Sequence, residues 1–354
     1  MADRNVCEEF QKMNLYTFTP PADRSNRICN NVLDLVGNTP LVYLNSVTKG
    51  LEAKIACKVE YFNPACSVKD RPGSFMIEKA ERDGLIKPGH TVLIEGTSGN
   101  MGIAQAWTAT VKNYKLILVM PNTMSLERRT LLKAFGAEFV LVDYTKGFAG
   151  VLERVEELAK MIPNSFVLNQ FTNISNIEAH YNTTGPEIWR QTEGKVDIVV
   201  FGTGSGGTMS GTGKYLKEQN PNIKVFAVEP YESSLDLIQF YGIGAGVILE
   251  NIKPIYEGAL RVKTEEAVEM AKRIAREEGL LAGVSGGANV HAAIQLAKME
   301  ENRGKLIVTN LPDFGERYLS TLLYADIKNE CEKMEVTTIS EDRINLSKIL
   351  GIEL

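Results

Sequence analysis

The side chain best placed to act as a nucleophile is a lysine in the stretch Asn63-Pro64-Ala65-Cys66-Ser67-Val68-Lys69-Asp70-Arg71-Pro72-Gly73. It follows a strand-like run, Ala53–Glu60, and precedes a helix-like run, Ser74–Asp83. Strand ends that open into helices are where α/β proteins gather their chemistry. Ser67 is a candidate helix cap, which puts Lys69 in the first turn, where the helix dipole disfavours a cation. A lysine held there gives up its proton more easily, as an amine nucleophile must. An ordinary exposed lysine is the competing reading.

Three further stretches have the composition of ligand cradles. Glu95-Gly96-Thr97-Ser98-Gly99-Asn100-Met101-Gly102 follows a strand and opens a helix. Its hydroxyls, glycines and free N–H groups suit a carboxylate or phosphate, and the Asn100 amide suits a ring hydroxyl or ligand oxygen. A plain capped turn would use the same residues. Phe201-Gly202-Thr203-Gly204-Ser205-Gly206-Gly207-Thr208 is richer in glycine and reads as a phosphate loop. It also satisfies G-x-G-x-x-G, with Glu229 closing the next strand where a dinucleotide's ribose partner belongs, so a nicotinamide-dependent oxidoreductase stays open. Ser205 and Thr208 favour a single phosphate monoester over a pyrophosphate. The fourth stretch, Leu281–Ala288, places Ser285 at a helix start, either as a weak hydrogen-bond partner or as a cap.

The elements that must position these groups alternate. Strands are predicted at Lys54–Glu60, Thr91–Glu95, Leu116–Met120, Glu138–Val142, Asp197–Phe201, Lys224–Val228 and Leu306–Asn310. Helices are predicted at Ser74–Asp83, Gly102–Val111, Leu126–Ala134, Phe148–Ile162, Gly207–Gln219, Thr264–Glu278 and Ala288–Met299. Such alternation means an α/β fold with mainly parallel sheets flanked by helices. Thr184-Gly185-Pro186-Glu187 reads as a capped helix start, with Glu three residues after the Thr. The alternation pauses over Asn169–Thr184, a candidate domain boundary.

The 354 residues, 44% hydrophobic and 23% charged, are enough for two globular domains. A net charge of −5 gives no electrostatic case for nucleic acid or an anionic membrane. No apolar run reaches spanning length, and the polar, acidic Met1–Asn14 is unlike a signal peptide. The five cysteines lack C-x-x-C spacing, which disfavours metal and disulfide frameworks and points to a cytoplasmic location. His90, His180 and His291 are far apart in sequence, which speaks against a histidine-based site.

Taken together, the motifs resemble the cysteine synthase family, the β-family of pyridoxal-phosphate enzymes that includes cystathionine β-synthase. The resemblance runs from Val36-Gly37-Asn38-Thr39-Pro40-Leu41 to Gly315-Glu316-Arg317-Tyr318-Leu319-Ser320. Between them, in family order, come Asn63–Arg71, Thr97–Gly102, Met124–Arg129, Thr183–Trp189, Gly204–Thr208 and Gly242–Gly246. The resemblance implies a two-domain fold-type II enzyme with pyridoxal 5'-phosphate as cofactor. Lys69 is then the Schiff-base lysine and general base, and Asn100 meets the cofactor's ring hydroxyl. Gly204, Ser205, Gly206, Gly207 and Thr208 form the phosphate loop, and Ser285 faces the pyridine nitrogen. Thr97, Ser98, Asn100, Met101 and Gln170 fall where the family binds the amino-acid substrate. The implied division is an arm (1–35), a larger domain (36–62 and 174–330), a smaller domain (63–173) and a C-terminal extension (331–354). A homodimer is implied, and no tandem regulatory module or haem-binding arm is expected.

The implied reaction is loss of a β-leaving group from cysteine or O-acetylserine, followed by addition of sulfide or cyanide. Met101 and Ser205 stand where typical cysteine synthases carry Thr, and Phe201 where they carry Ser. These three are similar to the β-cyanoalanine synthase branch, which predicts a preference for cyanide with cysteine as donor. Gly286 and Phe314 stand where relatives carry small hydroxyl residues, and the segment Pro230–Tyr241 is shorter than usual. Those departures keep open a second reading, a cofactor-bearing pseudoenzyme whose cleft binds a partner protein's C-terminal tail.

Overall fold

The computed structural model describes residues 28–97, 99–232 and 255–354. Most of the expected N-terminal arm, Ser98, the Gly242–Gly246 motif and most of Pro230–Tyr241 lie outside the described residues.

Two sheets organise the chain. The larger has the order β1 (Leu41–Tyr43), β2 (Lys54–Val59), β10 (Leu306–Leu311), β7 (Ile198–Gly202), β8 (Lys224–Pro230), β9 (Gly258–Val262). Among the described strands, only β1 runs antiparallel to its neighbour. The smaller is parallel throughout, in the order β5 (Glu138–Val142), β4 (Lys115–Pro121), β3 (Val92–Gly96), β6 (Ser165–Val167). Strand β10 is buried along its whole length, and β7 along all but its last residue, as continuous apolar runs in parallel sheets should be.

Helices cover both sheets. Around the smaller sheet lie α1 (Asp70–Arg82), α2 (Asn100–Val111), α3 (Leu126–Ala134) and α4 (Gly147–Met161). Around the larger lie α5 (Ser175–Asn182), α6 (Thr184–Gln191), α7 (Gly207–Gln219), α8 (Thr264–Arg273) and α9 (Val284–Ala297). Two more helices, α10 (Ala325–Cys331) and α11 (Ile339–Leu350), follow and bury no residue. Each sheet thus has apolar clusters on both faces. Among the described residues, no helix is long and apolar enough to cross a membrane.

Several expectations need correction. Helix α1 begins at Asp70, not Ser74, because Pro72 sits within the first turn, where its missing N–H has no helical partner to lose. Lys69 is therefore the residue immediately before the helix rather than one inside it. The stretch Asn169–Thr184 is not a pause, since it contains α5, which packs against both α1 and α7. Glu187 does not close a capping box on Thr184. Its carboxylate turns inward to Arg71, Lys58 and the Asn38 N–H. The helix expected over Thr264–Glu278 ends as a π-helical turn, Ile274–Glu278, closed by Gly279 at φ 71°. Strands β1, β6 and β9 and helices α10 and α11 were not expected.

Candidate active site

The loops that carry the chemistry leave the carboxyl ends of β2, β3, β7 and β10, where open parallel sheets bind ligands. The lysine loop is wound tightly. Buried Asp70 accepts from the Ala65 N–H at 2.6 Å and from the Ser67 hydroxyl at 3.4 Å. Ser67 Oγ in turn accepts from the Lys69 N–H at 3.2 Å. Cys66 takes a left-handed conformation at φ 58°, and Val68 N–H bonds the Pro312 carbonyl at 2.7 Å. Among the described residues, no carboxylate pairs with the Lys69 amine, and desolvation pushes it down to about 8. Burial lowers it, and Lys69 also stands at the N-terminal end of α1, where the dipole acts in the same direction.

Beneath this loop lies a buried charge cluster. Arg71 makes two-pronged contacts with Glu60 (2.7 and 2.9 Å) and Glu187 (2.7 and 2.8 Å), and Lys58 meets Glu187 at 2.7 Å. Two cations and two carboxylates fasten β2, α1 and α6 together. The Glu187 carboxyl sits well below its ordinary range: burial raises it, but Arg71 and Lys58 outweigh that.

On the second loop, Thr97 Oγ1 accepts from the Gly99 N–H at 3.4 Å, and Asn100 opens α2. The Asn100 Nδ2 donates to Asp313 Oδ2 at 2.5 Å, and its Oδ1 accepts from Arg317. Met101 is the second residue of α2. It is 2% exposed and packs in the apolar cluster under the smaller sheet. Phe201, 0% exposed, likewise belongs to the core beside β7. Gln170 is buried, and its N–H donates to Glu95 at 3.4 Å. Burial raises the Glu95 carboxyl to about 7.

The third loop leads from β7 into α7 through Gly206, at φ 79°. A Cβ on Gly207 would lie 2.3 Å from Asn176 Oδ1, so the loop backbone must stay bare there. Asn176 Nδ2 donates both to Ser205 Oγ and to the Gln170 carbonyl, each at 2.8 Å. It thereby joins the third loop to the residue expected at the substrate. Thr208 Oγ1 lies 3.2 Å from His180 Nε2, whose ring contacts Thr184 Oγ1 through Nδ1 at 2.9 Å. Burial first, then the nearby charges of Arg71 and Lys69, keep His180 neutral.

Ser285 lies buried in the first turn of α9, whose N-cap position is taken by Gly283. Two residues earlier, the Gly283 N–H bonds the Asp313 carbonyl at 3.3 Å, which brings this turn to the same place. Two departures have packing reasons. A Cβ on Gly286 would lie 2.9 Å from that of Ala282, and the Phe314 ring packs 5.2 Å from the Tyr61 ring.

Asp313 and Arg317 thus tie Asn100 to the lysine loop and to the turn before Ser285, while Asn176 and His180 tie Ser205 and Thr208 of the third loop to Gln170 and Thr184. Sequence reasoning missed those four connecting residues. His180 was set aside as isolated, and Arg317 counted only as a motif end. The residues fit a phosphorylated aldehyde. The third loop has bare amides at a helix start, hydroxyls on Ser205 and Thr208 and no carboxylate of its own. The amine is desolvated, as a carbonyl-binding lysine requires. Among the described residues, no group of three or more His, Cys, Asp or Glu could hold a metal.

Residues 32–313 match the family described as pyridoxal-phosphate dependent enzyme. The chain is 52% identical over 326 residues to cysteine synthase 3 of Caenorhabditis elegans, covering 90% of this chain and 97% of that one. Among solved structures it is similar to a cysteine synthase from Entamoeba histolytica (TM-score 0.80, 40% identity, 89% and 94% of the two chains). It is also similar to a hydrogen sulfide-producing enzyme from Fusobacterium nucleatum (TM-score 0.77, 44% identity, 82% and 100%). The chain belongs to the family of pyridoxal-phosphate dependent enzymes, and that membership sets the nicotinamide reading aside.

Proposed function

We propose that this chain catalyses β-replacement on an amino acid, exchanging the β-leaving group of O-acetylserine for sulfide to form cysteine. The observation that carries the reading is the Lys69 amine, desolvated and, among the described residues, without a carboxylate partner; the glycine-rich start of α7 supports it as a place for a phosphate. The relatives' names support the choice of reaction. Gly204, Ser205, Gly206, Gly207 and Thr208 would hold the phosphate, Asn100 the ring oxygen and Ser285 the ring nitrogen. The cofactor supplies an electron sink for the carbanion. Lys69 would hold it covalently and, once displaced by the substrate amine, take the Cα proton at Nζ. Thr97, Asn100 and Gln170, with the backbone of Met101, would orient the substrate carboxylate. Ser98 is assigned to the same carboxylate from its place in the motif. We assign the substrate side to residues 63–173 and the phosphate side to 36–62 and 174–330, in a homodimer.

Steady-state kcat/KM values for O-acetylserine with sulfide and for cysteine with cyanide test the proposal. Sulfide is expected to win. The case for cyanide stood on Met101, Ser205 and Phe201, and two of those side chains lie in apolar cores. A clear preference for cysteine with cyanide would overturn the choice of nucleophile. Bound cofactor with no turnover of either pair would favour the tail-binding pseudoenzyme.

A further inference from the structure

The Asn100 side chain is held at both ends by residues that follow β10. Arg317 donates from one guanidinium nitrogen to Asn100 Oδ1 and from another to the Ala65 carbonyl, four residues before Lys69. Asp313 accepts from Asn100 Nδ2 and, at the same Oδ2, from the Tyr318 hydroxyl. A free asparagine amide can turn over, exchanging its donor and acceptor ends. Here the exchange would put N–H groups against the guanidinium and the carbonyl against the carboxylate, so both contacts become repulsive. With Oδ1 turned to Arg317 and one Nδ2 hydrogen on Asp313, the donor Asn100 has left to offer is its second N–H.

We propose that Arg317, together with Asp313, is a positioning residue that locks Asn100 as an N–H donor toward the ring oxygen of the cofactor. The same guanidinium ties that donor to the loop carrying Lys69, so the two contacts to the ring keep one fixed spacing. The proposal rests on the reading that Lys69 binds pyridoxal phosphate and that Asn100 meets its ring oxygen. A donor at that oxygen alters the electron distribution of the ring, so its loss moves the visible absorption band of the bound cofactor.

The test compares the wild-type enzyme with Asn100→Ala, Arg317→Met and the double variant, each reconstituted with pyridoxal phosphate. The readouts are the position of the visible band and the cofactor Kd from fluorescence titration, without turnover. Arg317→Met keeps the aliphatic stem and removes every donor. Arg317→Gln replaces it if that protein does not fold, since one neutral amide cannot reach both Asn100 and Ala65. The expected result is a band shift in the direction of Asn100→Ala and at least half its size, with cofactor binding weakened about threefold to tenfold. The double variant should shift no further than Asn100→Ala alone. A wild-type band in the Arg317 variant beside a shifted Asn100→Ala, or a double variant whose shift is the sum of the two, would overturn the inference and leave the cofactor assignment standing. An unshifted Asn100→Ala would remove the ring contact itself, and the inference with it. A wild-type protein that takes up no cofactor would overturn the underlying reading.

Discussion

At the scale of single residues, Lys69 sets a pH dependence. An ordinary lysine amine titrates near 10.5, and desolvation brings this one to about 8. Attachment of the cofactor needs the neutral amine, of which about a tenth is present at pH 7 and about nine tenths at pH 9. The rate of attachment to the apoprotein should therefore rise roughly tenfold between those values and then level off. Stopped-flow absorbance follows it directly. A rate still climbing in proportion above pH 9 would mean an amine in contact with bulk water. The four linear clusters were legible because each keeps its residues within one loop. Asp313 and Arg317 were not, because their partner Asn100 is 213 and 217 residues away, and nothing local marks the pairing. The packing of Met101 and Phe201 was illegible for the converse reason. They adjoin the site in sequence, but side chains one step along a helix or strand point elsewhere.

At the scale of elements, the end of β3 carries a carboxylate with a mixed task. Glu95 is 2% exposed and accepts from Gln105 Nε2 at 3.2 Å and from the Gln170 N–H, joining strand, helix and substrate loop. Its folded value, about 7, lies above the ordinary 4.5, so between those pH values the folded protein holds a proton that the unfolded chain has lost. Stability from this group is therefore present below 4.5 and declines as pH rises through 7. Asp70, raised by burial from 3.8 to about 7, has the same sign. His180, kept neutral by burial, pulls the other way over the same interval, so the expected outcome is a difference: Glu95→Gln should lose less stability, or gain more, than the wild type between pH 5 and pH 8. Urea midpoints at the two pH values measure it, and an identical change in both proteins would show that Glu95 takes no part. Element boundaries followed the same logic as the residues. Long apolar strands and helices with strong starts were readable, as at Leu126–Ala134 and Gly207–Gln219. The three-residue strands β1 and β6 have too few positions to show a period, and the π-helical turn has no local signature.

Across the whole molecule, the four-charge cluster of Lys58, Glu60, Arg71 and Glu187 joins segments that lie more than a hundred residues apart. The charges balance while all four are present. Glu187→Gln leaves one uncompensated buried cation, a change that costs about 3–5 kcal/mol where such pairs have been broken. Denaturant titration of that variant should show a loss of this size. Glu332→Gln, in the exposed pair with Lys328, should leave the midpoint where it was. A Glu187→Gln midpoint equal to wild type would show that the cluster relaxes without penalty.

The strand order also governs the birth of the protein on the ribosome. The smaller sheet draws all its strands from residues 92–167, so its pairings can close while the rest is still being made. The larger sheet cannot. Its central strand, β10, is the last to be synthesised, and β2 waits through roughly 250 residues of synthesis for the neighbour that covers it. At about 5–20 residues per second, that wait is roughly 12 to 50 seconds. During it the apolar edge of β2 and the buried face of β7 must be shielded by something other than their final partner. Nascent chains halted before Leu306 should hold the smaller sheet against protease and leave the Lys54–Val59 strand open to cleavage.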